Sequence, residues 1–299
     1  MRILISGASG LIGSALTRAA IEAGHTVLPL VRKPGIPSSV YWDPDAGTID
    51  DAGLEGCDVA VHLAGESIAA RRWTPAQKAR ILDSRVKGTE LLGSALARLK
   101  RRPSVMISAS AIGVYGDRGD VTLTEDSSIG SDFLAGVCRD WEQATSAASK
   151  AGIRVVCLRT GIVLAKAGGA LPKMVTPFKL GVGGRFGPGT QYMSWIDLED
   201  EVQVILHCIQ KESLQGPVNS VGPSPVTNTE FTKTLGRVLS RPSLFPLPAP
   251  VARLILGEMA DGLLLSSQRV APAKLLSSGY VFRHTNLEDT LRKILRQAG

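Results

Sequence analysis

The stretch ISGASGLIG, residues 5–13, sets Gly7, Gly10 and Gly13 three apart between a β-branched run and an amphipathic helical pattern. Three needs are met by glycine there: a sharp exit from a strand, close approach of backbone to a diphosphate, and tight packing of helix on strand. The opening turn of the following helix presents unpaired N–H groups and the positive end of the helix dipole to an anion. A dinucleotide site is therefore expected at Gly7, Ser9, Gly10, Leu11, Ile12 and Gly13.

Which dinucleotide is read from the end of the next strand. NAD sites place an acidic residue about 20 positions on, where it binds the ribose hydroxyls. This chain has LVRK at residues 30–33, and the first carboxylate after it is Asp43. A guanidinium grips a 2′-phosphate through forked hydrogen bonds, whereas a carboxylate repels it. NADP(H), held by Arg32, is the expected cofactor; the competing reading makes Arg32 a solvated strand-end residue.

Short β-branched runs at Arg2–Ser6, Thr26–Val31, Val59–Leu63, Val105–Ser108 and Arg154–Leu158 alternate with helical patterns. That alternation predicts an α/β fold, a Rossmann-type doubly wound parallel sheet. TPAQ at 74–77 and TNTE at 227–230 each predict a helix start, with Thr74 and Thr227 as N-caps and Gln77 and Glu230 as reciprocal partners. Beyond about residue 165 the chain turns Gly- and Pro-rich, in GVGGRFGPG (181–189) and RPSLFPLPAP (241–250), the kind of connection that builds the substrate side of a cleft. The predicted organisation is a dinucleotide-binding domain over 1–240 and a smaller, mostly helical substrate-side region over 241–299.

Four cysteines and four histidines lie scattered without metal-ligand spacing, so neither a disulfide framework nor a metal site is expected. The formal charge of +7 includes RLKRRP (98–103) and RKILRQ (292–297), which close predicted helices and lack interleaved aromatics. Cations there offset the helix dipole, and a nucleic-acid partner is not expected. With neither a secretory leader nor an apolar run of about 18 residues, a cytoplasmic protein is expected.

VHLAG (61–65), VKGTELL (86–92), SASAIGVYG (108–116) and RTGIVL (159–164) follow the glycine turn in the order found in extended short-chain dehydrogenases/reductases. With SWIDLED (194–200), GPVNSVGPSPVTNTEF (216–231) and QRVAPAKLLSSGYVF (268–282), the chain resembles a subgroup of the NAD-dependent epimerase/dehydratase family that carries a small C-terminal domain of unknown function. The resemblance implies that Leu63, Ala64 and Gly65 lie beside the adenosine half of the cofactor. It also implies that Arg85 reaches the cofactor or a substrate anion, that Ser108 and Ala109 end the strand under the nicotinamide, and that Val163 approaches the same ring. Ser110 matches the family's catalytic Ser, and Arg185, Gln191 and Trp195 would face an unidentified small-molecule substrate.

Active members of that family also carry a Tyr and a Lys four apart on one helix face, so that the Lys charge lowers the Tyr pKa. The corresponding stretch, DFLAGVCRDWEQ (132–143), puts Leu134 and Cys138 at those places. Leu134, Val137, Cys138, Trp141 and Ala144 read as a packing stripe. Tyr115, Asp140 and Tyr192 are further candidates for proton transfer. Two functions remain open: an NADP(H)-dependent oxidoreductase or epimerase-like enzyme with a non-standard site, and an NADP(H)-binding regulator or scaffold without catalysis.

Overall fold

The computed structural model describes residues 1–296. Six strands open the chain, β1 (Arg2–Ser6), β2 (Thr26–Val31), β3 (Val40–Asp43), β4 (Thr48–Ile49), β5 (Val59–His62) and β6 (Val105–Ala111). Helices α1 (Leu11–Glu22), α2 (Asp51–Leu54) and α3 (Pro75–Arg98) connect them, and α4 (Phe133–Gln143) follows. Two later strands, Arg154–Thr160 and Gly216–Ser220, complete an eight-stranded sheet in the order Gly216–Ser220, Arg154–Thr160, β6, β5, β1, β2, β3, β4. Pairing is parallel from β6 through to β3, and β4 closes the edge as an antiparallel turn-back. This is the Rossmann-type α/β arrangement that the alternating pattern predicts.

Strand order reverses at β1: the chain runs outward through β2 and β3, then returns to place β5 on the other side. Ligands of open α/β sheets bind beyond the carboxyl ends of the strands at such a reversal. The register brings Leu30, Ser6, His62 and Ser108 into one row near those ends. Strand β6 runs past the predicted Ser108 to Ala111, so Ser110 sits within the strand.

By its internal contacts the chain divides into two interleaved units. The first comprises Met1–Ala111, Val137–Arg159 and Val202–Val218, and its core packs Leu4, Trp42, Leu92, Leu96 and Met106. The second takes Ile112–Gly136, Thr160–Glu201 and the chain from Asn219 onward. Two-stranded pairs carry that unit, such as Trp195–Asp197 beside Ile162–Leu164, with the helices Leu171–Lys179, Asn228–Leu239 and Leu287–Arg296. Leu171, Phe178, Trp195, Phe231, Leu235 and Leu291 form its core.

Thr227 and Glu230 form the full reciprocal cap. At α3 only half of the motif exists: Thr74 Oγ1 accepts from Gln77 N, while Gln77 is buried and its Oε1 accepts from Arg80. Arg102 donates to the carbonyl of Ala97 in the last turn of α3, and Arg98 pairs with Asp51, so the RLKRRP cations serve the fold locally.

Candidate cofactor cradle and active site

Gly7 leaves β1 at φ +69°, the left-handed region that L side chains avoid. A Cβ there would lie 3.0 Å from the backbone of Leu63 and Ala64, and one on Gly13 would lie 2.1 Å from the Gly7 carbonyl oxygen. The turn and the first coil of α1 are thus pressed together in a way only glycine permits. Gly10 caps α1 from an extended conformation with no side-chain acceptor, and Ser14 N is the first to bond back, to Gly10 O at 2.9 Å. The N–H groups of Leu11, Ile12 and Gly13 therefore precede the first intrahelical bond, no acidic side chain stands in that turn, and Ser9 and Gly10 are exposed. These residues fit a diphosphate by shape and by sign of charge. Arg32, directly after β2, is exposed, and no carboxylate follows before Asp43.

The adjoining strand end is fixed by two residues that the motifs do not single out. Ser6 Oγ accepts from Leu63 N (3.1 Å) and Ala64 N (3.2 Å) and lies 2.7 Å from His62 Nδ1. With both N–H groups donating to it, the hydroxyl donates its own proton to the ring, so His62 is neutral. Complete burial drives its pKa down to about 4. Leu63, Ala64 and Gly65 are thereby held against Gly7.

Arg85 is not a free surface charge. It donates to Glu66 O (2.9 Å) and Ile81 O (3.1 Å), stacks 4.9 Å over the Trp141 ring, and has its pKa lowered by burial. A Cβ on Gly65 would lie 3.4 Å from its guanidinium carbon. Trp141 Nε1 donates to Thr89 Oγ1 at 3.0 Å, tying α4 to α3. Arg85 thus braces the loop after β5.

Ser108 and Ser110 are both buried on β6, with Ala109 half-buried between them. Ser110 Oγ donates to Glu142 Oε1 at 2.7 Å, and Arg159 donates to both oxygens of that carboxylate at 2.8 and 2.9 Å. Sequence reading treats Ser110 alone and misses this triad; the signal was an Arg directly after the apolar run 155–158. On α4, Val137, Cys138 and Trp141 are buried as the packing stripe requires. Burial first, and Glu142 next, push the Cys138 thiol up to about 12, so it is no base at neutral pH. Tyr115 is fully buried with its hydroxyl donating to Asn219 Oδ1 at 2.6 Å.

In the second unit, Val163 is half-buried beside Ile196, and Arg185 is exposed. Two residues expected to face a substrate are buried. Trp195 does not face open space: it is fully buried, with Nε1 donating to Ser224 O. Gln191 is likewise buried, its Nε2 donating to the carbonyls of Phe186 and Leu264 while its Oε1 has no hydrogen-bond partner among the described residues. Both read as site residues because aromatic and amide side chains near a Gly-rich loop resemble binding groups.

SWIDLED resolves into anchors. Asp200 accepts from the backbone of Arg283 and His284 and from Tyr280 Oη, and Glu201 accepts from Ser220 Oγ (2.6 Å) and Thr160 Oγ1 (2.9 Å). Burial lifts the Glu201 pKa to about 7. Asp197, Glu199 and His284 converge as metal ligands might be spaced. Lys293 Nζ, however, lies 2.6 Å from Glu199 Oε2 and 2.8 Å from His284 Nε2, and supplies the cation itself.

The model for the NAD dependent epimerase/dehydratase family matches residues 3–222. The chain belongs to that family. A domain of unknown function, DUF1731, matches residues 247–294. An epimerase family protein of Mycobacterium tuberculosis is 46% identical over 290 residues, covering 97% of this chain and 96% of its own. Among solved structures, human epimerase family protein SDR39U1 (isoform 2), crystallised with NADPH, superposes with a TM-score of 0.92 at 34% identity and covers 99% of both chains. A nucleoside-diphosphate sugar epimerase from Corynebacterium glutamicum gives a TM-score of 0.83 at 40% identity, over 99% of this chain and 58% of that one.

Proposed function

We propose that this family member binds NADP(H) and acts as an oxidoreductase or epimerase-like enzyme on a small molecule without a Tyr and Lys relay. The observation that carries the reading is the cradle: Gly7 and Gly13 pressed together, open N–H groups on Leu11, Ile12 and Gly13, and the exposed Arg32 where an NAD site keeps a carboxylate. The NADPH in the human SDR39U1 crystal structure supports it. When bound, the cofactor would supply hydride chemistry, and the protein supplies orientation and electrostatics.

Within the first unit each group has a defined task. The glycine turn and the α1 N–H groups would hold the diphosphate and Arg32 the 2′-phosphate; Ser6 and His62 fix Leu63 to Gly65; Arg85 braces the loop behind them. Ser110 keeps its proton on Glu142 and so offers a substrate an acceptor lone pair. Arg159 donates to both oxygens of Glu142, which fixes the carboxylate against Ser110.

A second reading, a cofactor-binding regulator, is favoured by the packing of Cys138 and Trp141 where a relay would stand. Deuterium from 4-labelled NADPH, followed by mass spectrometry in a metabolite extract, separates the two. The enzyme reading expects label in a small molecule; NADPH binding without any transfer would leave the regulator.

A further inference from the structure

A cavity of about 370 Å³ lies wholly within the second unit. One wall is the helix Leu171–Lys179 with Met174 and Phe178, another is Asn228–Leu239 with Phe231 and Leu235, and the strap Phe245–Leu247 covers them. Glycines let the strap close: a Cβ on Gly184 would lie 1.9 Å from the Phe245 carbonyl oxygen, and one on Gly183 2.5 Å from the Phe178 ring. Phe245 N donates to Gly183 O and Leu247 N to Arg185 O, so the strap is hydrogen-bonded in place.

The lining is nearly all apolar, and its polar groups are few. Asn228 has already used both ends of its amide, Oδ1 accepting from Phe186 N and Nδ2 facing Met193 Sδ. Thr232 remains. A nucleobase would find no free amide for its edge, while an aliphatic chain needs none. Val182 and Phe245 of the lining are 55% and 57% exposed, and Leu180 and Leu244, close to them in the chain, are 73% and 75% exposed. A soluble surface does not keep so many large apolar groups together without use.

Charge settles the other end of the ligand. Residues 171–190 and 228–250, which build the cavity, contain six Lys or Arg and one carboxylate, Glu230, which is spent on the cap of its own helix. Of these, Lys179, Arg185, Lys233 and Arg241 are exposed and have no carboxylate partner among the described residues. We propose that this cavity binds a single-chain anionic amphiphile, a medium-length alkyl carboxylate or phosphate monoester, with the chain inside and the head among these cations. At about 30 Å³ for each water-sized group, the volume takes a chain of about twelve carbons.

The test is calorimetric titration of the full chain with dodecyl phosphate and dodecanoate, both below their micellar concentrations. Dodecyltrimethylammonium and UDP serve as controls. One saturable site per chain is expected for both anions, with affinity at least tenfold above the cationic amphiphile and no heat from UDP. Val182→Trp fills the cavity from its exposed rim and should weaken dodecyl phosphate at least tenfold at unchanged melting temperature. The pair Lys179→Glu and Arg241→Glu should weaken the anions and leave neutral dodecanol unaffected. Absence of saturable binding, equal affinity for the cationic amphiphile, UDP binding that Val182→Trp abolishes, or attachment only to anionic vesicles would each overturn the proposal. NADPH affinity measured on the same samples keeps this result separate from the cofactor reading.

Discussion

The proposed selectivity between the two nicotinamide cofactors rests on one side chain. Arg32 stands at the carboxyl end of β2 with no carboxylate nearby in sequence, so its guanidinium is available to a 2′-phosphate. A hydrogen bond to a charged group contributes about 1.5–3 kcal/mol, which is about a 10- to 100-fold change in affinity. Arg32→Ala should therefore lose most of the preference for NADPH over NADH, read as paired dissociation constants by NADPH fluorescence, with the melting temperature of the free protein unchanged. An unchanged preference would make Arg32 the solvated strand-end residue of the alternative reading. Gly7 and Gly13 differ in kind, because their contribution is the room that a missing Cβ leaves.

At the scale of the element, α4 packs its apolar stripe inward. Its inner face stacks Trp141 under Arg85, and Cys138 is close enough to Arg85 for the two to influence one another's charge. Restoring the family's Lys by Cys138→Lys would bury an ammonium beside that guanidinium. An uncompensated buried charge costs about 3–5 kcal/mol, so the urea midpoint should fall steeply, and the variant should gain no activity. Were the protein to accept this Lys without loss of stability, α4 would be a vestige of an active site and not a packed brace.

Two buried groups give the whole molecule opposing pH responses. Glu201 has its pKa raised from 4.5 to about 7, so its contribution to stability is complete below about pH 4.5 and is lost as pH rises to about 7. His62 has its pKa lowered from 6.5 to about 4; its contribution is complete above about pH 6.5 and is lost as pH falls to about 4. Each shift corresponds to about 3 kcal/mol at most. The two slopes should nearly cancel in the wild-type unfolding free energy between pH 4 and 7. Glu201→Gln should then lose stability on acidification, and His62→Gln should lose it as pH rises, measured by urea unfolding across that range. Parallel profiles for both variants would contradict these assignments.

Local chemistry made much of this protein legible before any coordinates. Glycine spacing after a short strand, alternation of β-branched and amphipathic runs, and the cap at Thr227 depend on neighbours within a few residues, and each appears in the fold as read. The apolar stripe on α4 followed from helical periodicity in the same way. What the sequence left open were the pairings between distant positions. Ser110 with Glu142 and Arg159, Ser6 with His62, Arg85 with Trp141, and Glu201 with Thr160 and Ser220 join residues 17 to 56 positions apart. Burial, too, was not legible: Trp195 and Gln191, expected at a substrate, lie inside the packed structure. A side chain's role depends on the dielectric and the partners it meets, and those are set only when the chain has closed upon itself.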